Sequence, residues 1–119
     1  MPNSSLSAPP ADPCGVLEAT SVFQGRWKGA VIWWLHQRPL HFGELRRSLA
    51  GVTPKVLTRQ LRELERDGLV TRATAATRPP RVVYSLTPLG ASLLPLFDAL
   101  VAWWHAHARE IGARRASAT

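Results

Sequence analysis

The chain has 119 residues and a mass of 13.1 kDa, which is enough for one domain with a single hydrophobic core. Fifteen Lys and Arg residues against eight Asp and Glu give a net charge of +7, which favours a polyanionic partner such as nucleic acid or an anionic membrane surface. The single cysteine excludes an internal disulfide framework and a zinc site built from several cysteines.

The sequence also argues against export and membrane insertion. The first Lys or Arg is Arg26, so no positively charged segment begins the chain and a secretory signal is not expected. The longest apolar run, from Ala30 to Leu35, is far shorter than the roughly 20 residues that span a bilayer. We therefore expect a cytoplasmic protein that does not enter a membrane.

The excess positive charge is concentrated in the middle of the chain. Residues 24–82 contain twelve Lys and Arg against four Asp and Glu, a net charge of +8, whereas residues 1–23 carry −2 and residues 83–119 carry +1. This distribution is typical of a binding module flanked by separate packing elements. The predicted organisation is a disordered N-terminal tail at 1–13, a folded domain at 14–111 and a flexible C-terminal tail at 112–119.

Helices dominate the first half of the folded part. Apolar residues at helical spacing predict three of them, at about Gly15–Phe23, Arg26–Gln37 and Phe42–Leu49. Pro39 ends the second helix, because the residue before a proline avoids the helical conformation. The segment Ala50-Gly51-Val52 predicts a turn after the third helix.

The fourth helix has the clearest signals. Thr53 can cap its N-terminus, Pro54 suits its first position, and Gly68 follows its predicted end at about Asp67. Three leucines form a narrow apolar stripe that faces the core: Leu57, Leu61 and Leu64. The opposite face carries four cations and a hydroxyl: Lys55, Thr58, Arg59, Arg62 and Arg66.

A basic helical face of this kind fits the major groove of DNA. Because the N-terminal residues of such a helix usually lie deepest, we predict base contacts from Thr53, Lys55, Thr58 and Arg59. We predict phosphate contacts from Arg62 and Arg66. The alternative interpretation is an ordinary solvated face of charged residues.

After Gly68 the apolar pattern changes to period two and predicts two strands, Leu69–Ala73 and Val82–Leu86. Their connection at 74–81 holds Arg78 and Arg81, which can reach the DNA backbone or minor groove unless the hairpin is only a rigid solvent-exposed loop. We also expect Lys28 to contact phosphate. The fold is therefore predicted to be mainly α with a small β-hairpin, a winged helix-turn-helix.

A long last helix is predicted from Thr87-Pro88 to about Ile111, with Pro95 either kinking it or delaying its regular part. The helix is too apolar to be covered by so small a domain, so we expect the first and last helices to form a two-fold dimer interface as well as to cover the core. The residues assigned to that interface are Val16, Leu93, Phe97, Leu100, Trp103 and Trp104.

Three segments together resemble the HxlR-type bacterial transcriptional regulators, which are relatives of the MarR group. They are Cys14 with Gln24-Gly25-Arg26-Trp27-Lys28 and His41-Phe42-Gly43-Glu44-Leu45-Arg46-Arg47, then Leu57 to Val70, then Arg78-Pro79-Pro80-Arg81-Val82-Val83-Tyr84-Ser85-Leu86-Thr87-Pro88-Leu89-Gly90. The resemblance implies a homodimer that binds a partly palindromic operator as a repressor or activator. The family usually has Cys-Pro in place of Cys14-Gly15, and Gly-Gly-Lys-Trp in place of residues 24–27.

The resemblance also implies a sensor for oxidants or electrophiles at Cys14, which lies where a helix N-terminus favours the thiolate. The alternative is a small, partly buried residue with no signalling role. MarR relatives use a small-molecule pocket between the last helix and the DNA-binding part, so a ligand could control the protein instead of the cysteine. We expect no catalytic residues, no metal and no cofactor, since the histidines and carboxylates do not assemble into a site.

The predicted function is therefore a sequence-specific DNA-binding regulator whose partners are double-stranded DNA, a second copy of itself and an oxidant or small-molecule effector. The alternative from another class is a winged-helix protein-interaction module, which would use its apolar helices to dock a larger partner. The basic face at residues 55–66 argues against that alternative, because a protein-docking module has no need of it.

Overall fold

The computed structural model describes residues 14–118, so the predicted tail at 1–13 and Thr119 lie outside the described residues. The fold is mainly helical with one small antiparallel sheet, and its basic middle forms a winged helix-turn-helix. In chain order the elements are α1 (Cys14–Ser21), α2 (Lys28–Gln37), β1 (Leu40–His41), α3 (Phe42–Ser48), α4 (Pro54–Arg66), β2 (Val70–Ala75), β3 (Arg81–Leu86), α5 (Pro88–Ala91) and α6 (Leu94–Ala118).

Helix α2 lies at the centre of the domain, where it contacts α3, α4, α5 and β3. Its buried residues join those of the helix-turn-helix and the sheet in one apolar core. That core consists of Val31, Ile32, Leu35, Leu40, Leu45, Leu49, Val52, Leu57, Leu61, Leu64, Leu69 and Val70. Burying these side chains is the main stabilising contribution, at about 1.5–3 kcal/mol for each large one.

The sheet has three strands, in the order β1-β3-β2, rather than the two that the sequence predicts. The additional strand β1 follows Pro39 and pairs antiparallel with β3, with Leu40 opposite Tyr84. Two residues are too few to show a period-two pattern, so the sequence contains no signal for this strand. The other two strands are longer than predicted and reach Ala75 and Arg81, which shortens the wing loop.

Both ends of α4 form as predicted. The Thr53 hydroxyl accepts a hydrogen bond from the backbone N–H of Val56 at 3.2 Å, and Pro54 occupies the first helical position. Gly68 follows the helix with φ +80°, a conformation that side chains other than glycine rarely adopt. These caps fix where α4 starts and stops, and therefore which of its faces turns outward.

His41 caps α3: its Nδ1 accepts from the backbone N–H of Glu44 at 3.3 Å, and Glu44 Oε1 accepts from the backbone N–H of His41 at 3.0 Å. This reciprocal arrangement satisfies two donors at the helix start. The hydrogen bond from His41 is the main reason that the pKa of Glu44 lies below its ordinary value of 4.5.

The predicted last helix is divided into two. Thr87 caps the short helix α5, and a turn at Ser92-Leu93 precedes α6, which has Pro95 in its first turn. The proline therefore delays the regular helix, one of the two predicted effects. At its other end α6 continues to Ala118, where we expected a flexible tail after Ile111. The alanine-rich sequence there favours helix, and Arg114 pairs with Glu110 at 3.2 Å.

Candidate nucleic-acid interface

The outer face of α4 carries the basic residues that the sequence assigns to DNA. Leu57, Leu61 and Leu64 are all buried, whereas the four predicted cations on the opposite side are exposed. A shallow depression of about 440 Å³ on this face is lined by Pro54, Lys55, Thr58, Arg59 and Arg62. The structure therefore brings four predicted contact residues together on one accessible surface.

The cations of α4 differ in their partners. Arg66 is engaged by the neighbouring Asp67, with Nε 3.0 Å from Oδ1, and this pairing raises the pKa of the Arg66 guanidinium. In the described part of the chain, no carboxylate lies within ion-pair distance of Lys55, Arg59 or Arg62. These three side chains can bind phosphate or bases without first breaking an ion pair.

Lys28 does not occupy the position that the sequence predicts. Only 5% of it is exposed, and its ammonium lies 2.7 Å from Glu63 Oε1 on α4. A buried ammonium paired with a carboxylate is not available to phosphate, so the expected direct contact is wrong. The sequence prediction used only the position of Lys28 at the start of a helix. It could not show that packing brings the Glu63 carboxylate against the ammonium.

The wing extends from the sheet beside α4. Arg78 is exposed on the loop between β2 and β3, where the Thr77 hydroxyl donates to the Pro79 carbonyl oxygen at 2.8 Å. Arg81 is also exposed, but its Nη1 lies 3.1 Å from His41 Nε2 at the edge of the sheet. Arg78 is therefore at the tip of the wing, and Arg81 lies at the outer end of β3, opposite Ala75.

The base of the wing is connected to α4. Arg72 on β2 lies opposite Tyr84 on β3, and its Nε is 3.7 Å from Glu65 Oε1 on α4. Tyr84 is partly buried here, and this burial raises the pKa of its phenol. The ion pair links the hairpin to the basic helix, and it joins residues on different elements that the sequence pattern does not connect.

Sequence reasoning also missed Arg46 and Arg47. Both are exposed in the last turn of α3, the first helix of the helix-turn-helix. In complexes of this motif the first helix crosses the DNA backbone, so the two guanidinium groups are positioned for phosphate. Their charge was visible in the sequence, but the period of α3 alone did not indicate which face would be exposed.

A second set of exposed side chains is apolar and lies mainly on the first and last helices, with one member each on α2 and α5. None of the residues of α6 is buried, although the helix is rich in leucine and tryptophan. The large apolar side chains exposed in the described residues are Val16, Leu17, Trp33, Leu89, Leu96, Leu100, Val101, Trp103 and Trp104. We call this set the apolar face; four of the six residues predicted for the dimer interface belong to it.

The other two predicted interface residues mainly serve the core of their own subunit. Leu93 and Phe97 are partly buried against the core, and the Phe97 ring meets Phe23 edge to face at 5.0 Å. Trp33 on α2 is absent from the predicted interface but is exposed. It is 50% exposed and lines an apolar depression of about 370 Å³ together with Phe97 and Leu100.

Among the described residues, the stretch Pro88–Ala118 is long and apolar enough to cross a membrane by length and composition. Its geometry does not favour that use. The stretch is interrupted between α5 and α6, and the exposed Asp98 lies within its most apolar part, where a bilayer would penalise a carboxylate heavily.

Cys14 is exposed and is the first residue of α1, close to the predicted position. Within residues 14–118, no group of three or more His, Cys, Asp or Glu side chains is arranged to hold a metal ion.

Comparison with known proteins gives one consistent result. The model of the HxlR-like helix-turn-helix family matches residues 22–111. YkvN of Bacillus subtilis strain 168, described as an uncharacterised HTH-type transcriptional regulator, is 42% identical over 90 residues, covering 76% of this chain and 76% of that protein.

Two solved structures are similar over most of the chain. A regulator described as a MarR family member from Enterococcus faecalis V583 is 38% identical, with a TM-score of 0.76 over 90% of this chain and 98% of that chain. The redox regulator HypR in its reduced form is 34% identical, with a TM-score of 0.76 over 83% of this chain and 98% of that chain.

Proposed function

Because this chain belongs to the HxlR-like helix-turn-helix family of transcriptional regulators, we propose that it is a cytoplasmic homodimer that binds a partly palindromic operator through α4 of each subunit. The observation that carries this proposal is the row of exposed cations on α4, opposite its buried leucines. An α-helix fits the major groove, where Arg and Lys side chains reach guanine edges and phosphates.

Each predicted DNA-binding residue takes a role from its place in the fold. Thr53, which caps α4, and Lys55, Thr58 and Arg59 in its first half contact base edges. Arg62 and Arg66 contact the backbone. Arg66 must exchange Asp67 for phosphate, so its contribution is smaller than that of Arg62. Arg78 and Arg81 bind the backbone or minor groove beside the helix, and Arg46 and Arg47 add phosphate contacts from α3.

The dimer buries the apolar face against a second copy. Val16, Leu100, Trp103 and Trp104 form its centre, and Trp33 extends it onto α2. Aromatic side chains of this size are typical anchors of stable interfaces. A two-fold dimer also places the two α4 helices symmetrically, as a palindromic operator requires.

The direct test is binding of the full chain to a fragment containing its own promoter and to a randomised duplex, measured by fluorescence anisotropy at several salt concentrations. Affinity should fall by roughly a thousand-fold or more between about 50 and 200 mM salt, because phosphate contacts release counterions. Retained preference for the promoter fragment would identify the operator, and footprinting would locate it.

Two triple variants lose the same amount of positive charge. Comparing them distinguishes an effect of the α4 surface from an effect of the net charge of the protein. Lys55→Gln/Arg59→Gln/Arg62→Gln removes three cations from α4, whereas Arg109→Gln/Arg114→Gln/Arg115→Gln removes three exposed cations from α6. Only the first should abolish operator binding. If neither the wild-type protein nor the α6 variant binds DNA even in dilute buffer, the alternative of a protein-interaction module is favoured.

Control of DNA binding is assigned to Cys14. The support is its exposure at the start of α1, beside the apolar face, and the similarity of the chain to the redox regulator HypR. A thiol oxidant would take two electrons and two protons from the Cys14 thiols of two subunits and join them in an intersubunit disulfide. Such a bond would change how the two subunits, and hence the two α4 helices, are arranged.

Replacing Cys14 by serine distinguishes this control from control by a ligand. Oxidant should release the wild-type protein from its operator and should leave Cys14→Ser bound, and a non-reducing gel should show a dimer band for the wild type alone. An identical release of both proteins would contradict the assignment. The apolar depression beside Trp33 and Phe97 would then be the next candidate, as a pocket for a small-molecule effector.

A further inference from the structure

Lys28 is the only buried charged residue in the described part of the chain, and its partner lies on the recognition helix. Its Nζ is 2.7 Å from Glu63 Oε1, with 7% of the Lys28 side chain and 34% of the Glu63 side chain exposed. A buried ammonium is costly without a partner, so the pair is held firmly on the α2 side.

Glu63 lies on α4 within pairing distance, by helical spacing, of two arginines of the same helix. It lies four residues after Arg59 and three before Arg66, the spacings at which helical side chains pair. The hydrogen bond from Lys28 is the largest influence that lowers the pKa of Glu63, and Arg66 and Arg59 act on it more weakly. The Glu63 carboxylate is therefore paired with Lys28 and not with the arginines of its own helix.

We propose that Lys28 is a positioning residue for DNA binding, which it serves by holding the Glu63 carboxylate against α2 and away from Arg59. This inference rests on the proposed function. Without the ammonium, Glu63 is free to turn along α4 and pair with the Arg59 guanidinium, four residues earlier. That pairing would withdraw Arg59 from DNA.

The test variant is Lys28→Met, which keeps an apolar stem of similar shape but removes the charge. Operator affinity should fall at least about five-fold, and the preference for operator over random duplex should fall with it, because Arg59 is assigned to base edges. Adding Glu63→Gln to this variant should restore both quantities, because no carboxylate is left to capture Arg59. In an Arg59→Gln background, Lys28→Met should have little further effect.

Leu35→Ala is the structural control. It removes buried packing from the same helix, so it should lower the thermal midpoint while leaving the operator preference of the folded protein unchanged. Glu63→Gln alone is a second variant that does not require the loss of Lys28, and its side-chain oxygen can still accept a hydrogen bond from the Lys28 ammonium. It should bind the operator at least as tightly as the wild type, with the same preference over random duplex.

The outcomes are distinct. Loss of affinity in both Lys28→Met and the double variant would overturn the proposal, since it would mean that Lys28 acts through packing or touches DNA directly. An unchanged operator preference in Lys28→Met, or a reduced preference in Glu63→Gln, would overturn it as well. Failure of the wild-type protein to bind DNA would instead contradict the proposed function.

Discussion

Helices α4 and α6 each carry an apolar side, and they differ in what covers it. The leucines of α4 are buried within the subunit, whereas none of the 25 residues of α6 is buried. Most helical stability in proteins comes from packing an apolar face, so the two helices differ in how that packing is supplied. We propose that DNA binds the exposed polar side of α4 and that a second copy of the chain covers the exposed apolar side of α6.

The largest expected effect comes from placing a charge on the apolar side of α6. Leu100 is 47% exposed, so Leu100→Asp should leave the subunit folded while making its burial against a second copy very unfavourable. The mass from light scattering at micromolar concentration should change from dimer to monomer. Operator affinity should fall about a hundred-fold or more, because the two half-sites are no longer bound together.

Ser117→Asp is the matched control, since it introduces the same charge at an exposed position of the same helix. It should remain dimeric and bind normally. A wild-type protein that is already monomeric at micromolar concentration would remove the contrast between the two helices, and the apolar face would then have to serve another partner.

The next effect concerns α5, the short helix that lies between the sheet and α6 in the chain. A Cβ atom at Gly90 in α5 would collide with the Leu69 carbonyl oxygen and the Leu86 side chain. Gly90→Ala should therefore lower the free energy of unfolding by about 1–3 kcal/mol, as measured by urea titration. At Gly112 in α6, the same change meets no atom within 4 Å and should stabilise the helix by about 0.5–1 kcal/mol. A neutral result at Gly90 would mean that α5 can move away from the sheet.

The same contrast explains how much could be read from the sequence. In α4 the cap at Thr53, the leucine stripe and Gly68 are all local signals, so the helix, its ends and its basic face were predicted correctly. The proline effect on the last helix was also local. The prediction of a winged helix-turn-helix followed from these elements in their order along the chain.

What could not be predicted depends on contacts between distant residues. The pairing of Leu40 with Tyr84 creates a strand too short to leave a pattern. Glu63 turns Lys28 from an expected phosphate contact into a buried partner, and Trp33 is half exposed because the helices around it leave it uncovered. In each case the deciding neighbour lies far along the chain or on another element.

A smaller effect distinguishes the base contacts assigned to α4 from the backbone contacts assigned to the wing. Arg59 lies on α4 among residues assigned to base edges, so Arg59→Ala should reduce the preference for operator over random duplex by about 1–3 kcal/mol. Arg78 lies at the wing tip, so Arg78→Ala should weaken binding to both duplexes alike and reduce the salt slope by about one. Competition titrations with the two duplexes measure both quantities. Equal losses on both duplexes from Arg59→Ala would contradict its assignment to bases.

The smallest effect concerns how the helix-turn-helix responds to acid. The hydrogen bond from the His41 backbone N–H stabilises the charged form of Glu44 and lowers its pKa in the folded protein. The folded state therefore binds this proton less readily than the unfolded chain, so the stabilisation is present above the ordinary pKa of 4.5 and is lost as the pH falls through the lower, folded value.

Glu44→Gln keeps an oxygen that can accept from His41 but removes the titration. Urea midpoints measured between about pH 7 and pH 3 should fall less steeply for the variant at the acid end. Parallel curves for the two proteins would show that the cap of α3 does not contribute to the acid response of the domain.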